Sequence, residues 1–386
     1  MNSTLTVFTA ITDSYRYSME LSQSFEMLRD LLPGAHWVVH EPDSASTQRE
    51  LAESLPRNGL LLFVREPALL VGPGAIPELR RILEGDAACL AVLPSDIRGY
   101  HPGQQAAYYT LRGFERFVAG LAGHGGQTLP CDGRSPWMFL MRGADLNGRK
   151  LPDDPFDLPL ELPEERVAIS SAAYIHPFLN YYSETRSDLL PHVPEGITSL
   201  LDIGCSRGGF GAAVKSARGC RVAGIEMNRH EARSAEKLLD RVWVGDMLAL
   251  DIDEKFDCIT CLDVLEHIPE PRQLLEKAGS LLNPGGKLLL SVPNVGHWAV
   301  VEDLLAGRWD YIPAGILCTT HVRFYTRHSL VHLLEQCGFS VASVDAQRTP
   351  PPDELRQGLS AYGGAGMELD EESLATLLFI ALAERP

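Results

Sequence analysis

Three groups of side chains in the second half of this 386-residue chain could do chemistry. The first is a glycine-rich turn, Leu201-Asp202-Ile203-Gly204-Cys205-Ser206-Arg207-Gly208-Gly209-Phe210-Gly211, which follows an apolar strand pattern and opens a helical one. Glycines there let the backbone turn sharply and let a ligand approach the amides of a helix N-terminus. The second group is a pair of acids at strand ends, Glu226 and the Asp246 of Val244-Gly245-Asp246-Met247. The third is a set of histidines, His267, His297 and His321, whose imidazoles titrate close enough to neutrality to take a proton from a reacting hydroxyl.

The details of the turn select its ligand. A dinucleotide pyrophosphate would need glycine at position 206, where Ser206 stands, and would meet the Asp202 carboxylate. A carboxylate suits a ligand that carries an ammonium and a sulfonium, and S-adenosylmethionine has both. Glu226 lies 22 residues after Gly204, where such folds place the acid that receives two ribose hydroxyls. Asp246 could then accept from an adenine amino group, with the Met247 amide meeting a ring nitrogen.

The elements that must position these groups are legible from periodicity. Apolar strand patterns occupy 199–203, 221–225, 241–244, 256–262 and 287–292. Between the last two, Leu274, Leu275, Ala278, Leu281 and Leu282 recur at helical spacing; Pro271 suits the helix's first turn and Asn283-Pro284-Gly285-Gly286 its end. Two more apolar strands, 340–344 and 374–383, read as antiparallel neighbours because no crossover helix is expected between them. The stretch 348–372, with its Pro350-Pro351-Pro352 and Gly363-Gly364, reads as weakly ordered. Cys258 and Cys261 have metal-like spacing but sit inside an apolar strand, and no second pair matches them, so no metal site is expected.

Taken jointly, LDIGCSRGGFG, GIEMN, VGDM, FDCITCLDVLEHIPEP and LLNPGGKLLLSVPN resemble the class I S-adenosylmethionine-dependent methyltransferases over roughly residues 172–386. The resemblance implies an α/β, Rossmann-like sheet of seven strands with the last one antiparallel. It implies that Asp202, Gly204, Ser206 and Gly208 line the methionine end, that Glu226 holds the ribose, and that the following Met227 also contacts the cofactor. Asp246 and Met247 would flank adenine, and Leu262 and Asp263 would cover the other cofactor face. Ser206, where the family has glycine, fits if its φ stays negative. A helix beginning at 181–186 would lid the cofactor, with Arg186 on the methionine carboxylate. The segments Pro293-Asn294-Val295-Gly296-His297-Trp298 and Thr320-His321-Val322-Arg323-Phe324-Tyr325 resemble methyltransferases of bacterial glycan and O-antigen pathways, with Cys318 in place of an acid. The implied reaction is methylation of a hydroxyl on a sugar or glycan intermediate, with His267 or His321 as base.

The first half alternates strand patterns (5–11, 36–40, 59–64, 87–93, 137–141) with helical ones such as 20–32, which predicts a parallel sheet. It resembles a degenerate A-type glycosyltransferase fold; Arg65-Glu66-Pro67 stands where that fold has its metal-binding Asp-x-Asp. The proline- and acid-dense stretch 151–165 reads as an extended connector, giving domains 1–165 and 166–386. Lys plus Arg number 34 against 51 Asp plus Glu, a net charge of −17, which disfavours nucleic acid as partner. With no 18-residue apolar run, no leader-like N-terminus and scattered cysteines, the expectation is a cytoplasmic protein not inserted in a membrane. A bifunctional sugar- and methyl-transferring enzyme, or a cofactor-binding scaffold, are the alternatives.

Overall fold

The structure, a computed structural model, describes residues 4–11, 19–41, 44–96, 108–122, 128–129, 135–178, 185–364 and 369–385. The chain divides into two compact units, 1–179 and 180–386.

Among the described residues the first unit holds one eight-stranded sheet. Its strands are β1 (Leu5–Ala10), β2 (His36–His40), β3 (Leu60–Val64), β4 (Leu69–Val71), β5 (Ala91–Asp96), β6 (Thr128–Leu129), β7 (Met138–Arg142) and β8 (Val167–Pro177). The order is β2-β1-β3-β7-β5-β8-β4, with β6 also on β8. The sheet is mixed and not parallel as the alternating pattern predicted: β7 runs antiparallel to both neighbours, β3 and β5. Side chains alternate between its faces. Val7, Leu62, Leu140 and Val92 enter one cluster, while Phe8, Leu61, Phe63 and Phe139 enter another.

The boundary also moves, because β8 pairs with β5 inside this sheet, well past residue 165. The supposed connector is folded: Pro155–Glu161 forms 3-10 turns, and Phe156 and Leu158 are buried in the second cluster. Its acids are used as well. Asp154 and Asp157 each pair with the Arg65 guanidinium at 2.6 Å, which also lies over the Phe156 ring. The position where a metal-binding acid would follow β3 therefore carries a cation neutralised within its own unit.

Among the described residues the second unit holds seven strands: β9 (Ser199–Ile203), β10 (Arg221–Glu226), β11 (Arg241–Val244), β12 (Phe256–Leu262), β13 (Leu282–Pro293), β14 (Ser340–Arg348) and β15 (Thr376–Glu384). Their order is β11-β10-β9-β12-β13-β15-β14. β15 is antiparallel to β13 and β14, and the other pairings are parallel. The closing strands are antiparallel neighbours as read, but for a different reason: helices Asp353–Gly364 and Glu371–Ala375 lie between them in sequence, so 348–372 is not a plain loop.

Both faces of the sheet's inner strands, β9, β10, β12, β13 and β15, are covered, which is why they read as apolar runs, whereas the edge strand β14 is largely exposed. Leu201, Ile203, Ile225, Ile259 and Leu290 pack with Leu274, Leu275 and Leu330 on one face. Leu200, Val222, Cys258 and Leu289 pack with Phe210 and Val214 on the other. Cys258 and Cys261 thus belong to opposite faces, and neither is in a disulfide. The chain leaves β9 toward β10 on one side and reaches β12 on the other. That reversal opens a crevice outside the carboxyl ends of β9 and β12, where open α/β sheets take ligands. No helix among the described residues is long and apolar enough to cross a membrane.

Candidate functional site

The turn after β9 is folded by its own backbone. The amides of Gly204 and Cys205 both donate to the Ile225 carbonyl at the end of β10. The Gly208 amide donates to the Cys205 carbonyl, closing a tight turn before the helix Gly209–Arg218. Gly204 has φ +74°, and a Cβ there would fall 2.5 Å from Val264 Cγ2, so only glycine fits.

Ser206 does not keep the negative φ expected of it: its φ is +49°, in the left-handed region that costs an L-residue roughly 1–2 kcal/mol. It is held there because its amide donates to Glu226 Oε2 at 2.8 Å. Glu226 Oε1 accepts from the Asn228 amide at 2.7 Å. Each oxygen spends one lone pair on a backbone donor and keeps capacity for a ligand hydroxyl. Burial pushes the Glu226 carboxyl upward, opposed by those donors. The adjacent Met227 is 72% exposed.

Asp202 is buried at the end of β9. Thr260 on the neighbouring β12, itself fully buried, donates its hydroxyl to Asp202 Oδ1 at 2.7 Å. Burial dominates and pushes the Asp202 carboxyl up to about 7. On the other side, the Gly245 amide donates to the Glu226 carbonyl and ties the end of β11 to that of β10. There Asp246 is exposed and its Oδ1 accepts from the Leu248 amide. Met247 turns its side chain into the core, leaving only its backbone for a ligand.

Arg186 departs from expectation. Residues 181–184 of the expected lid helix lie outside the described residues. Arg186 itself sits at φ +42°, ahead of the 3-10 turn Ser187–His192. Its guanidinium is engaged by Asp263 and Asp188, so Asp263 meets it where a cofactor carboxylate was expected. Asp263, at φ +53° just past the half-buried Leu262, is held from the other side by the Ser291 hydroxyl, which donates to Oδ1 at 2.7 Å.

The histidines divide. His297 is a helix cap: its side chain accepts from the Ala299 amide, its Nε2 meets Thr349 Oγ1 at 2.7 Å, and burial pushes it down to about 4. His267 and His321 come together, ring centroids 4.8 Å apart. His321 Nδ1 lies 2.9 Å from the Ile316 carbonyl, so the neutral ring donates there and carries its lone pair on Nε2. That Nε2 is 3.9 Å from Glu266 Oε1. The loop bearing His321 is clamped to Glu266, whose carbonyl accepts the amides of Val322 and Arg323. Phe324, Trp309 and Tyr311 form a chain of edge-on ring contacts beside His321.

Sequence reasoning passed over Thr260, Ser291 and Glu266. The first two are cross-strand partners of residues it did select. The strand register would have found Thr260, which pairs with Asp202 across β9 and β12.

Residues 171–344 match a family model described as a methyltransferase domain. A ubiquinone biosynthesis O-methyltransferase of Aeromonas salmonicida is 26% identical over 162 residues, covering 39% of this chain and 67% of that protein. One from Stutzerimonas stutzeri is 31% identical over 111 residues, covering 27% and 47%. The chain thus spans about two thirds of the first relative's length and under half of the second's. Among solved structures, an S-adenosylmethionine-dependent methyltransferase of Archaeoglobus fulgidus is 18% identical, covering 52% of this chain and 92% of its own, with a TM-score of 0.39. Magnesium protoporphyrin IX methyltransferase of Synechocystis PCC 6803, with bound S-adenosylhomocysteine, is 18% identical, covering 52% and 80%, with a TM-score of 0.37. Residues 171–344 are thus a methyltransferase domain, S-adenosylmethionine-dependent, with S-adenosylmethionine as cofactor.

Proposed function

We propose that the chain methylates a hydroxyl on a ring-shaped acceptor, a sugar or glycan intermediate in the first instance. The observation that carries this reading is the Glu266, His267 and His321 cluster just past β12, bordered by the rings of Phe324, Trp309 and Tyr311. An amine or thiol of low pKa needs little help to react, whereas a hydroxyl must lose its proton, so groups able to receive one belong at the acceptor end. Aromatic edges and faces suit the apolar face of a sugar or phenolic ring. The likeness of the 293–298 and 320–325 segments to glycan-pathway methyltransferases favours a sugar. The curated relatives, ubiquinone biosynthesis O-methyltransferases, favour a phenolic ring, the second reading.

The residues around the turn fit the cofactor. Glu226 offers carboxylate oxygens to two ribose hydroxyls, Met227 offers an apolar surface to the adenine, and Asp246 with the Met247 backbone flanks it. Asp202, through the loop, opposes the cationic methionine end, and Gly204 and Gly208 keep that end free of side chains. S-adenosylmethionine supplies a methyl on a sulfonium, an excellent leaving group, so the chain's task is positioning in a dry crevice. His267 or His321 receives the acceptor proton, and Arg186 with Asp263 closes the cofactor's flank.

The first unit, with Arg65 in place of metal-binding acids, is read as an acceptor-binding or docking domain. Transfer of labelled methyl to a panel of nucleotide sugars, glycan fragments and catechols tests the proposal. Label on a sugar hydroxyl supports it, label on catechols alone moves the second reading to first place, and label on amines alone refutes both. His321→Ala is expected to lower kcat at least 100-fold while leaving cofactor Kd within threefold.

A further inference from the structure

Glu266 is 1% exposed, and neither of its carboxylate oxygens has a hydrogen-bond partner among the described residues. An unsatisfied buried carboxyl is expensive and is kept where a cation pairs with it. The guanidinium whose charge reaches Glu266, Arg186, is engaged by Asp188 and Asp263. What faces Glu266 instead is a pair of imidazoles: one ligand atom each from Glu266, His267 and His321 lie within 4.8 Å of one another. His321 is also oriented for ligation. Its Nδ1 is committed to the Ile316 carbonyl, which aims Nε2 toward Glu266, the arrangement by which metal-binding histidines are usually fixed.

We propose that Glu266, His267 and His321 bind a divalent first-row transition-metal ion of the zinc kind. One carboxylate oxygen and two imidazole nitrogens fill three positions, and the remaining ones open toward the acceptor. Tetrahedral zinc at about 2.0–2.1 Å from each ligand sets neighbouring ligand atoms roughly 3.3 Å apart. The observed 3.9 Å between His321 Nε2 and Glu266 Oε1 would have to shorten by about 0.6 Å to reach that spacing. Two imidazoles with one carboxylate favour zinc, iron or nickel over magnesium, which wants oxygen and water ligands.

This inference rests on the methyl-transfer reading above and deepens it. The ion would take the acceptor hydroxyl in an open position and lower its pKa, and the proton would leave to solvent water. With the ion bound, ligation by His267 and His321 replaces the direct proton-accepting role given to them above.

The test uses the full chain, stripped with a chelator and titrated calorimetrically with Zn²⁺, with Mg²⁺ and, separately, with S-adenosylmethionine. One equivalent of Zn²⁺ is expected, bound at least 100-fold more tightly than Mg²⁺. Glu266→Gln and His321→Ala should each weaken Zn²⁺ at least 100-fold and leave cofactor binding within threefold, which also shows that the variants fold. His328 and His332, stacked one turn apart on the helix Arg327–Gln336, are the competing surface site, and His332→Ala should leave the Zn²⁺ step unchanged. The proposal is overturned if folded wild type binds S-adenosylmethionine but no Zn²⁺. It is equally overturned if the Zn²⁺ step survives Glu266→Gln and His321→Ala, or vanishes in His332→Ala. Zn²⁺ bound as expected by a chain that does not bind S-adenosylmethionine would sink the methyl-transfer reading and leave the metal site standing.

Discussion

Replacing Asp202 with asparagine should stabilise the protein at alkaline pH while weakening its hold on the cofactor. The carboxyl titrates near 7 in the fold against 3.8 for the free group, because burial disfavours its charge. The sign follows directly. The unfolded chain gives up this proton near pH 4, the folded chain keeps it until about pH 7, so the native state binds more protons between those values and loses stability as pH rises through the window. At about 1.36 kcal/mol per pH unit over roughly three units, the cost above pH 7 is on the order of 4 kcal/mol. Asparagine keeps the shape and can still accept the Thr260 hydroxyl, yet never ionises. The variant and the wild type should therefore melt alike near pH 4, diverge up to about pH 7 and hold a constant gap above it, where Asp202→Asn leads by roughly 10 °C. Calorimetry should show cofactor affinity down about 10- to 100-fold, the worth of one charge-assisted hydrogen bond. A melting difference that stays flat from pH 5 to 8 would refute the reasoning, since Asp202 would not be titrating in that window.

Two further substitutions probe the same loop. Ser206→Gly relieves an L-residue at φ +49°; after the flexibility that glycine adds to the unfolded chain, thermal melts should show a gain of about 0.5–1 kcal/mol with cofactor binding kept, and a loss of stability would contradict the strain. Thr260→Val removes the hydroxyl that satisfies Asp202 and should cost about 1–3 kcal/mol by denaturant unfolding, with the pH at which Asp202 titrates moving further up.

The second sheet was legible because parallel strands buried on both faces read as short apolar runs, and Gly204, Glu226 and Asp246 stand where those runs stop. The first sheet was less so. The direction of β7 depends on which distant strands it joins, and nothing in Met138–Arg142 encodes that. β8 was missed because Ser170 and Ser171 interrupt its apolar pattern. Both are buried, and the Ser170 hydroxyl accepts the amides of Ala172 and Ala173, an accommodation only the folded chain reveals. The stretch 151–165 looked like a linker because prolines and acids dominate it, yet Phe156 and Leu158 anchor it and Arg65, some 90 positions earlier, neutralises it. At the site, sequence selected His267 and His321 but not Glu266. A glutamate beside a histidine in a turn reads as solvated, and its burial arises from the 320–325 loop folding over it.

The most direct test of the whole account is calorimetric titration of the full chain with S-adenosylmethionine and S-adenosylhomocysteine, beside Glu226→Ala. The account predicts one site of micromolar affinity in the wild type and at least 100-fold weaker binding in Glu226→Ala, whose fold is checked by its melt. Undiminished binding in that variant, or none by a folded wild type, would contradict the placement of the cofactor on the 204–208 turn.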